Sequence, residues 1–306
     1  MSIETNVVHT GDCFEVLPTL PDESVHMVMT SPPYWNLRDY DHADQLGLEP
    51  ESEQYVQNMA DVFDEVKRVL RPDGSLWLNL GDTYENKDLQ QIPARVALEL
   101  QQRGWILRNR VTWAKPNPMP QSVKDRLNDT TEAVFHFVKN KSYWYDLDAI
   151  REPYDKSSVE QAKRRENNNM ANAGYNGQKT GNHNESGGLH DDNQPWDHWM
   201  NAAGKNPGDV FEVTTKPFPE AHFAVYPPEL CEKPIKATCP PDGIVLDPFA
   251  GAGTTLLKAK ELGRKFVGIE LNPEYADMAR ARIGLSPHDP SNVRDDDNQS
   301  GLEAYD

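Results

Sequence analysis

Residues 244–284 read IVLDPFAGAGTTLLKAKELGRKFVGIELNPEYADMARARIG. Two short apolar runs, IVLD and KFVGIE, alternate with two segments of helical character, GTTLLKAKELG and PEYADMARARIG. Gly263 stops the first helix. Pro273 opens the second, at a position where its missing N–H costs nothing. Strand, helix, strand, helix predicts parallel strands joined by crossovers, and hence an α/β fold with a doubly wound sheet.

The first turn of this unit carries chemical information. Gly251 and Gly253 stand where strand becomes helix, so a ligand there meets bare backbone and a helix N-terminus. Glu270 closes the next strand, where a carboxylate accepts hydrogen bonds from both hydroxyls of a ribose. A Gly-x-Gly pair alone is weak, because an ordinary strand-to-helix turn has the same letters. Three details sharpen it. Leu256 occupies the third glycine position of a pyrophosphate turn, and no Gly-Lys-Ser/Thr follows. Asp247, just before the glycines, repels a pyrophosphate but suits a cationic amino group. S-adenosylmethionine offers an adenosine, a ribose and an ammonium, and no phosphate.

A second turn stands far upstream. The apolar strand Val25–Met29 ends in Thr30-Ser31-Pro32-Pro33-Tyr34-Trp35. A stiff strand terminator is the ordinary reading. Proline, however, has no N–H and a fixed φ, so the two carbonyls and the Ser31 hydroxyl make a rigid set of acceptors. Such a set grips the hydrogens of an exocyclic amine, and Tyr34 offers a ring face to the base that carries it. If this strand neighbours Ile244–Asp247, the two turns face each other at the carboxyl ends of the sheet. A base that enters leaves its duplex. The amine then attacks the sulfonium methyl directly, catalysis is chiefly positioning, and the proton leaves afterwards to an acceptor the sequence does not name. Attack through carbon-5 of cytosine needs a cysteine nucleophile. No Pro-Cys pair occurs, and Cys13, Cys231 and Cys239 lie in other contexts.

Elsewhere, Val7–His9 reads as a strand. Glu53–Leu70 reads as a helix, with Val56, Met59, Val62, Phe63, Val66, Val69 and Leu70 at helical spacing and RPDG as its stop. SLWLNL is a strand, Ile92–Arg103 a helix ended by Gly104, and WILRNRVTWAK and EAVFHFVKN a strand pair around a proline-rich loop. Residues 155–208 are rich in Asn, Gly and Ser and predict a mobile insertion, with Trp196 and Trp199 as anchors or stacking surfaces.

The 306 residues carry 49 acidic against 31 basic side chains, a net charge of -18. That balance usually argues against a nucleic-acid partner, although an acidic surface also suits a halophile. Between Gln101 and Asn128 the sign reverses: Arg103, Arg108, Arg110, Lys115, Lys124 and Arg126 face one acid, Asp125. A solvated face and a phosphate-contacting surface both fit this island. No apolar run reaches the length of a membrane span, and the N-terminus lacks the features of a signal peptide. Three cysteines make neither a disulfide framework nor a metal site, so a cytoplasmic protein without bound metal is expected.

In this order, GDCFEVLPTLPDESVHMVMTSPPYWNLRDY, RPDGSLWLNLGD, WAKPNPMPQSVKDR, AHFAVYPPEL, LDPFAGAGTT and GIELNPEY resemble the β class of amino DNA methyltransferases, whose catalytic motif precedes the cofactor motif. The resemblance implies a seven-stranded, mostly parallel Rossmann-like sheet with circularly permuted motif order. It implies a catalytic half over 1–154, an inserted target-recognition region over 155–215 and a cofactor half over 216–285; the acidic composition of 286–306 predicts a disordered tail. It implies catalysis by Ser31, Pro32, Pro33 and Tyr34. S-adenosylmethionine would be held by Asp247, Phe249, Gly251 and Gly253, with Glu270 on the ribose and Asp12 near the adenine. AHFAVYPPEL, through Phe223, would line the methionine end, and Cys13, Thr30, Thr254, Thr255 and Leu271 would complete the cofactor pocket. Double-stranded DNA would be contacted by Trp35, Arg38, Arg108, Arg110, Lys115, Lys124 and Arg126. Serine before Pro-Pro-Tyr goes in this family with cytosine N4; adenine N6, structured RNA, and a non-enzymatic DNA-binding role are the alternatives. A cognate restriction endonuclease and a monomeric or homodimeric state are also implied.

Overall fold

The computed structural model describes residues 3–38, 45–161, 163–164, 201, 203–216 and 225–286. Trp196, Trp199, Phe223 and nearly all of the acidic tail lie outside them. Among the described residues there are ten strands: β1 (Val7–Thr10), β2 (Val25–Thr30), β3 (Leu70–Leu80), β4 (Tyr84–Glu85), β5 (Asp88–Leu89), β6 (Ile106–Ala114), β7 (Thr131–Val138), β8 (Val210–Glu212), β9 (Ile244–Asp247) and β10 (Lys265–Glu270). The helices that matter for the site are α1 (Cys13–Val16), α2 (Ser52–Val69), α3 (Ile92–Gln102), α4 (Pro228–Thr238), α5 (Thr254–Glu261) and α6 (Pro273–Ile283).

Eight strands form one sheet in the order β1-β10-β9-β2-β3-β7-β6-β8, and β4 pairs with β5 separately. This corrects the expected count of seven strands to eight, in a mixed sheet whose pairings are still mostly parallel. β7 runs antiparallel to both β3 and β6. A loop without a crossover helix joins β6 to β7, and such a connection fits antiparallel neighbours. The eighth strand, β8, lies within the stretch assigned to the insertion and pairs parallel with β6. Parallel pairing holds from β1 through β10, β9 and β2 to β3.

Strand alternation divides the core. Val28, Leu76, Leu78 and Leu246 pack on one face with α2 and α3; Met27, Met29, Trp77 and Val245 pack on the other with α4, α5 and α6. α2 buries Tyr55, Val56, Met59, Val62, Phe63, Val66 and Val69 along one stripe, each contributing about 1.5–3 kcal/mol. RPDG does end this helix. The same residues then bulge from β3, since Val25 pairs with Leu70 but Met27 with Ser75.

The layout fixes the site. From β2 the chain crosses by way of α2 to β3 on one side, and from β9 by way of α5 to β10 on the other. The winding therefore reverses between β2 and β9, where Met27 pairs with Val245 and Val28 with Leu246. A crevice at the carboxyl ends of those strands is where a doubly wound sheet places its ligand.

Candidate active site

Both turns open on that crevice. Ser31, Pro32, Pro33 and Tyr34 after β2, and Pro248 to Ala252 after β9, line one cavity of about 320 Å³, joined by Glu270, Leu271, Asp12 and Cys13.

Asp247 ties the two strands together. Its Oδ1 accepts from Thr30 Oγ1 at 2.7 Å and from the Phe249 N–H at 3.1 Å; its Oδ2 accepts from Tyr226 Oη at 3.3 Å. Thr255 Oγ1 bonds Tyr226 Oη and donates to the Met29 carbonyl at 3.2 Å. Burial raises the Asp247 carboxyl above its ordinary pKa, against these donors. Asp247 is only 1% exposed and is not among the residues lining the cavity. The reading that it meets a ligand ammonium is therefore corrected: its acceptors serve Thr30, Tyr226 and the turn. Thr30 and Thr255 likewise stand behind the wall as braces.

The two glycines differ. Gly251 has φ +51°, and a Cβ there would meet no atom within 4 Å, because it would point into open space. Gly253 has φ +75°, and its Cβ would lie 2.9 Å from Ala279 Cβ. Gly251 keeps the cavity open, whereas Gly253 lets α6 approach. Thr254 lines the cavity from the start of α5. Glu270 accepts from the Gly251 N–H at 2.7 Å through Oε2 and from the Asn272 N–H at 2.9 Å through Oε1. Each oxygen keeps a further lone pair for a hydroxyl. Burial raises the Glu270 carboxyl, opposed by those amides. Asp12 caps α1 by accepting from the Phe14 N–H at 2.9 Å. Cys13 is buried, and burial with the neighbouring Asp12 pushes its thiol well up, so it is no thiolate.

On the opposite wall, the Pro33 carbonyl accepts from Tyr55 Oη at 2.8 Å, which anchors the proline turn to α2. One of the two expected amine acceptors is therefore already engaged. The Tyr34 ring lies on Gly81: a Cβ at that glycine would come within 2.4 Å of it. Ser31 Oγ donates to Tyr34 Oη at 3.1 Å, and Tyr34 Oη donates to Glu132 Oε2 at 2.8 Å. Burial, with Glu132 nearby, holds the Tyr34 phenol well above its usual pKa. An acceptor set suited to ribose hydroxyls, a cradle without Cβ and an amine-sized acceptor cluster thus share one cavity. The basic side chains that line the cavity, Arg38 and Lys115, come from the stretch after the proline turn and from the loop after β6, while Arg282 from α6 braces the glycine turn through the Ala252 carbonyl at 2.6 Å without lining the cavity.

The sequence pattern of the DNA methylase family N6_N4_Mtase matches residues 25–281. The chain belongs to this family. It is 39% identical over 302 residues to the Type II methyltransferase M.XycI of Xanthomonas campestris pv. cyanopsidis, covering 89% of this chain and 86% of that one. The fold is similar to that of the PvuII cytosine-N4-specific DNA methyltransferase, with a TM-score of 0.65 and 21% identity over 92% of this chain and 87% of the other. It is also similar to a DNA modification methylase from Thermus thermophilus complexed with S-adenosyl-L-methionine, with a TM-score of 0.56 and 25% identity over 90% and 94% of the two chains.

Other expected site residues of this DNA methylase are distributed less tidily. Trp35 is 3% exposed and donates to the Glu49 carbonyl at 2.9 Å, so its assignment to DNA is corrected: it pins the turn to the core. Arg38 lines the cavity. Arg110, Lys115 and Arg126 border a second chamber of about 590 Å³ that shares Tyr34, Leu37, Lys115 and Glu132 with the first. Arg126 lies over the Tyr84 ring at 4.0 Å and pairs with Asp129. Arg108 instead bonds Tyr143 Oη at 2.9 Å, and Lys124 is exposed on the loop. Arg103 leaves the island altogether, since it clamps α3 to α2 through Asp61, Asp64 and Glu99. Those carboxylates, Asp61 foremost, push its guanidinium further up.

Three site residues escape a reading of the sequence: Tyr226, Asn79 and Glu132. Tyr226 sits in AHFAVYPPEL without a role of its own. Asn79 has a signal, as one amide inside the apolar strand SLWLNL. Glu132 has none, because strand register alone sets it opposite Trp113 and beside Lys115.

Proposed function

We propose that this DNA methylase transfers a methyl group from S-adenosylmethionine to the exocyclic N4 amine of a cytosine flipped out of duplex DNA. One observation carries the reading: the proline turn and the glycine turn, more than 200 residues apart in sequence, line a single cavity at the switch point of the sheet. S-adenosylmethionine supplies an electrophilic methyl. Glu270, the Gly251 backbone, Asp12 and Phe249 bind and orient it from one side. Ser31 and the Pro32 carbonyl hold the amine from the other, and the free face of the Tyr34 ring receives the base. Ser31 at the head of Pro-Pro-Tyr supports cytosine over adenine. Transfer to nitrogen rather than carbon-5 is supported by the buried cysteines, whose thiols burial pushes upward.

Arg38, Arg110, Lys115, Lys124 and Arg126 are assigned to the phosphates around the flipped nucleotide, and the second chamber to the strand that carries it. Relatives such as M.XycI are Type II methyltransferases, which supports a role beside a cognate endonuclease. Methylated DNA digested to nucleosides and weighed tests the base: N4-methylcytosine is expected, and N6-methyladenine sinks the cytosine assignment.

A further inference from the structure

Where the two chambers meet, a chain of hydroxyls runs from the proline turn to a carboxylate. Ser31 Oγ donates to Tyr34 Oη at 3.1 Å. Asn79 Nδ2 donates to the same Tyr34 oxygen at 2.6 Å. A phenol oxygen has two acceptor positions and one proton. Ser31 and Asn79 fill the acceptor positions, so the Tyr34 proton is left to Glu132 Oε2, at 2.8 Å. Asn79 Nδ2 also donates to that carboxylate oxygen at 2.8 Å, fixing it in place. Asn79 itself is 1% exposed, and its Oδ1 has no partner among the described residues. Such an orphan is a cost the fold carries to keep the amide turned toward Tyr34 and Glu132. Lys115 Nζ, lying over the Trp113 ring at 4.6 Å, pairs with the other oxygen, Oε1.

We propose that Glu132 is the final resting place of the proton lost by the methylated amine, reached through Ser31 and Tyr34. The inference rests on the reading of Ser31–Tyr34 as the amine-holding turn. The amine lone pair forms the new N–C bond, and the C–S bond breaks with its electrons going to sulfur. The cationic amine gives a proton to Ser31 Oγ as Ser31 gives its own to Tyr34, and Tyr34 gives its own to Glu132. Each hydroxyl takes one proton and releases one, so neither is left charged, and the sulfonium charge is cancelled by the carboxylate. Tyr34 need never become a phenolate, so its high pKa is no obstacle. Glu132, with a side chain 16% exposed, then returns the proton to water in the second chamber. The charged and titratable groups that share the chamber with it are Tyr34 from the turn after β2, Lys115 from the loop after β6, and Asp82, Tyr84, Arg110, Arg126 and Asp129. Because Glu132 acts through two hydroxyls, it is a positioning residue and not one that touches the base.

The test is single-turnover methyl transfer by the full-length protein on unmodified duplex DNA, across pH, for Tyr34→Phe, Glu132→Gln and the double variant. Tyr34→Phe removes one oxygen and keeps the ring, so it separates stacking from proton transfer. Each single variant is expected to be roughly 10²-fold slower or worse, with S-adenosylmethionine affinity by calorimetry unchanged. The double variant is expected to be no slower than the slower single one, because either change cuts the same path. Glu132→Asp, which keeps a carboxylate, should restore part of the rate that Glu132→Gln loses. A Tyr34→Phe rate within about twofold of wild type, or losses that multiply in the double variant, overturns the proposal. Weighing the product nucleoside keeps the two readings apart: methyladenine with these same rate effects removes cytosine and leaves the proton path standing.

Discussion

Replacing each glycine of the turn by alanine should separate two jobs that sequence motifs merge. At both positions φ is positive, +51° at Gly251 and +75° at Gly253, so a Cβ costs about 1–2 kcal/mol of backbone strain. For Gly251→Ala the strain is the whole cost to the fold, since no atom lies within 4 Å of the new methyl. For Gly253→Ala the methyl lands 2.9 Å from Ala279 Cβ and 3.2 Å from Ile283 Cδ1. Helix α6 must yield, which adds about 1–3 kcal/mol. The expected losses are thus about 1–2 kcal/mol for Gly251→Ala and about 2–5 kcal/mol for Gly253→Ala, read from urea unfolding. Calorimetric titration with S-adenosylmethionine should rank them the other way: Gly251→Ala, whose methyl fills ligand space, binds more weakly per folded molecule than Gly253→Ala. Equal stabilities, or a Gly253→Ala protein that folds normally and binds less well than Gly251→Ala, would refute this division of labour.

Three further outcomes are expected. Burial, with a contribution from Arg108, lowers the pKa of His136 from 6.5 to about 3, so its share of stability is present above the unfolded value and lost as pH falls below it. Linkage gives about 2 kcal/mol lost by pH 5, and His136→Phe, which keeps a ring on Trp77, should remove that part of the acid sensitivity in urea unfolding measured at pH 7 and pH 5. Trp35→Ala should cost about 3–5 kcal/mol of stability, seen in urea unfolding, because it empties a core site; an effect confined to DNA affinity would contradict its burial. Arg110→Ala and Lys124→Ala should each flatten the plot of log affinity for duplex DNA against log salt by about 0.9, as follows when one phosphate is no longer neutralised, with S-adenosylmethionine binding intact.

Regular periodicity made much of the fold legible. The stripe along residues 53–70 gives α2 within a residue at each end, and the alternation over 244–284 gives β9, α5, β10 and α6 in order. α4 was harder to see because Pro234 stands inside it, where proline normally forbids a helix. The three-residue β8 is too short for any period to show. In the site, residues that act through their own backbone neighbourhood were readable: the proline turn and Gly251 need only local chain. Trp35 misled because a ring after two prolines looks displaced from its strand, while the turn in fact folds it back under Glu49. Asn79 shows locally only as one amide in an apolar strand, whereas Glu132 and Tyr226 depend on strands and helices meeting from distant parts of the chain, and no local pattern encodes that.

The hydrogen bond from Thr30 to Asp247 spans 217 positions of the chain. At a ribosomal rate of about 5–20 residues per second, the earlier partner waits on the order of 10–40 s for the later one to be made. Throughout that interval β2 is an open sheet edge, rich in valine and methionine, of the kind that invites wrong pairings. A chain that stops midway carries the proline turn without the glycine turn, and so has no cleft at all.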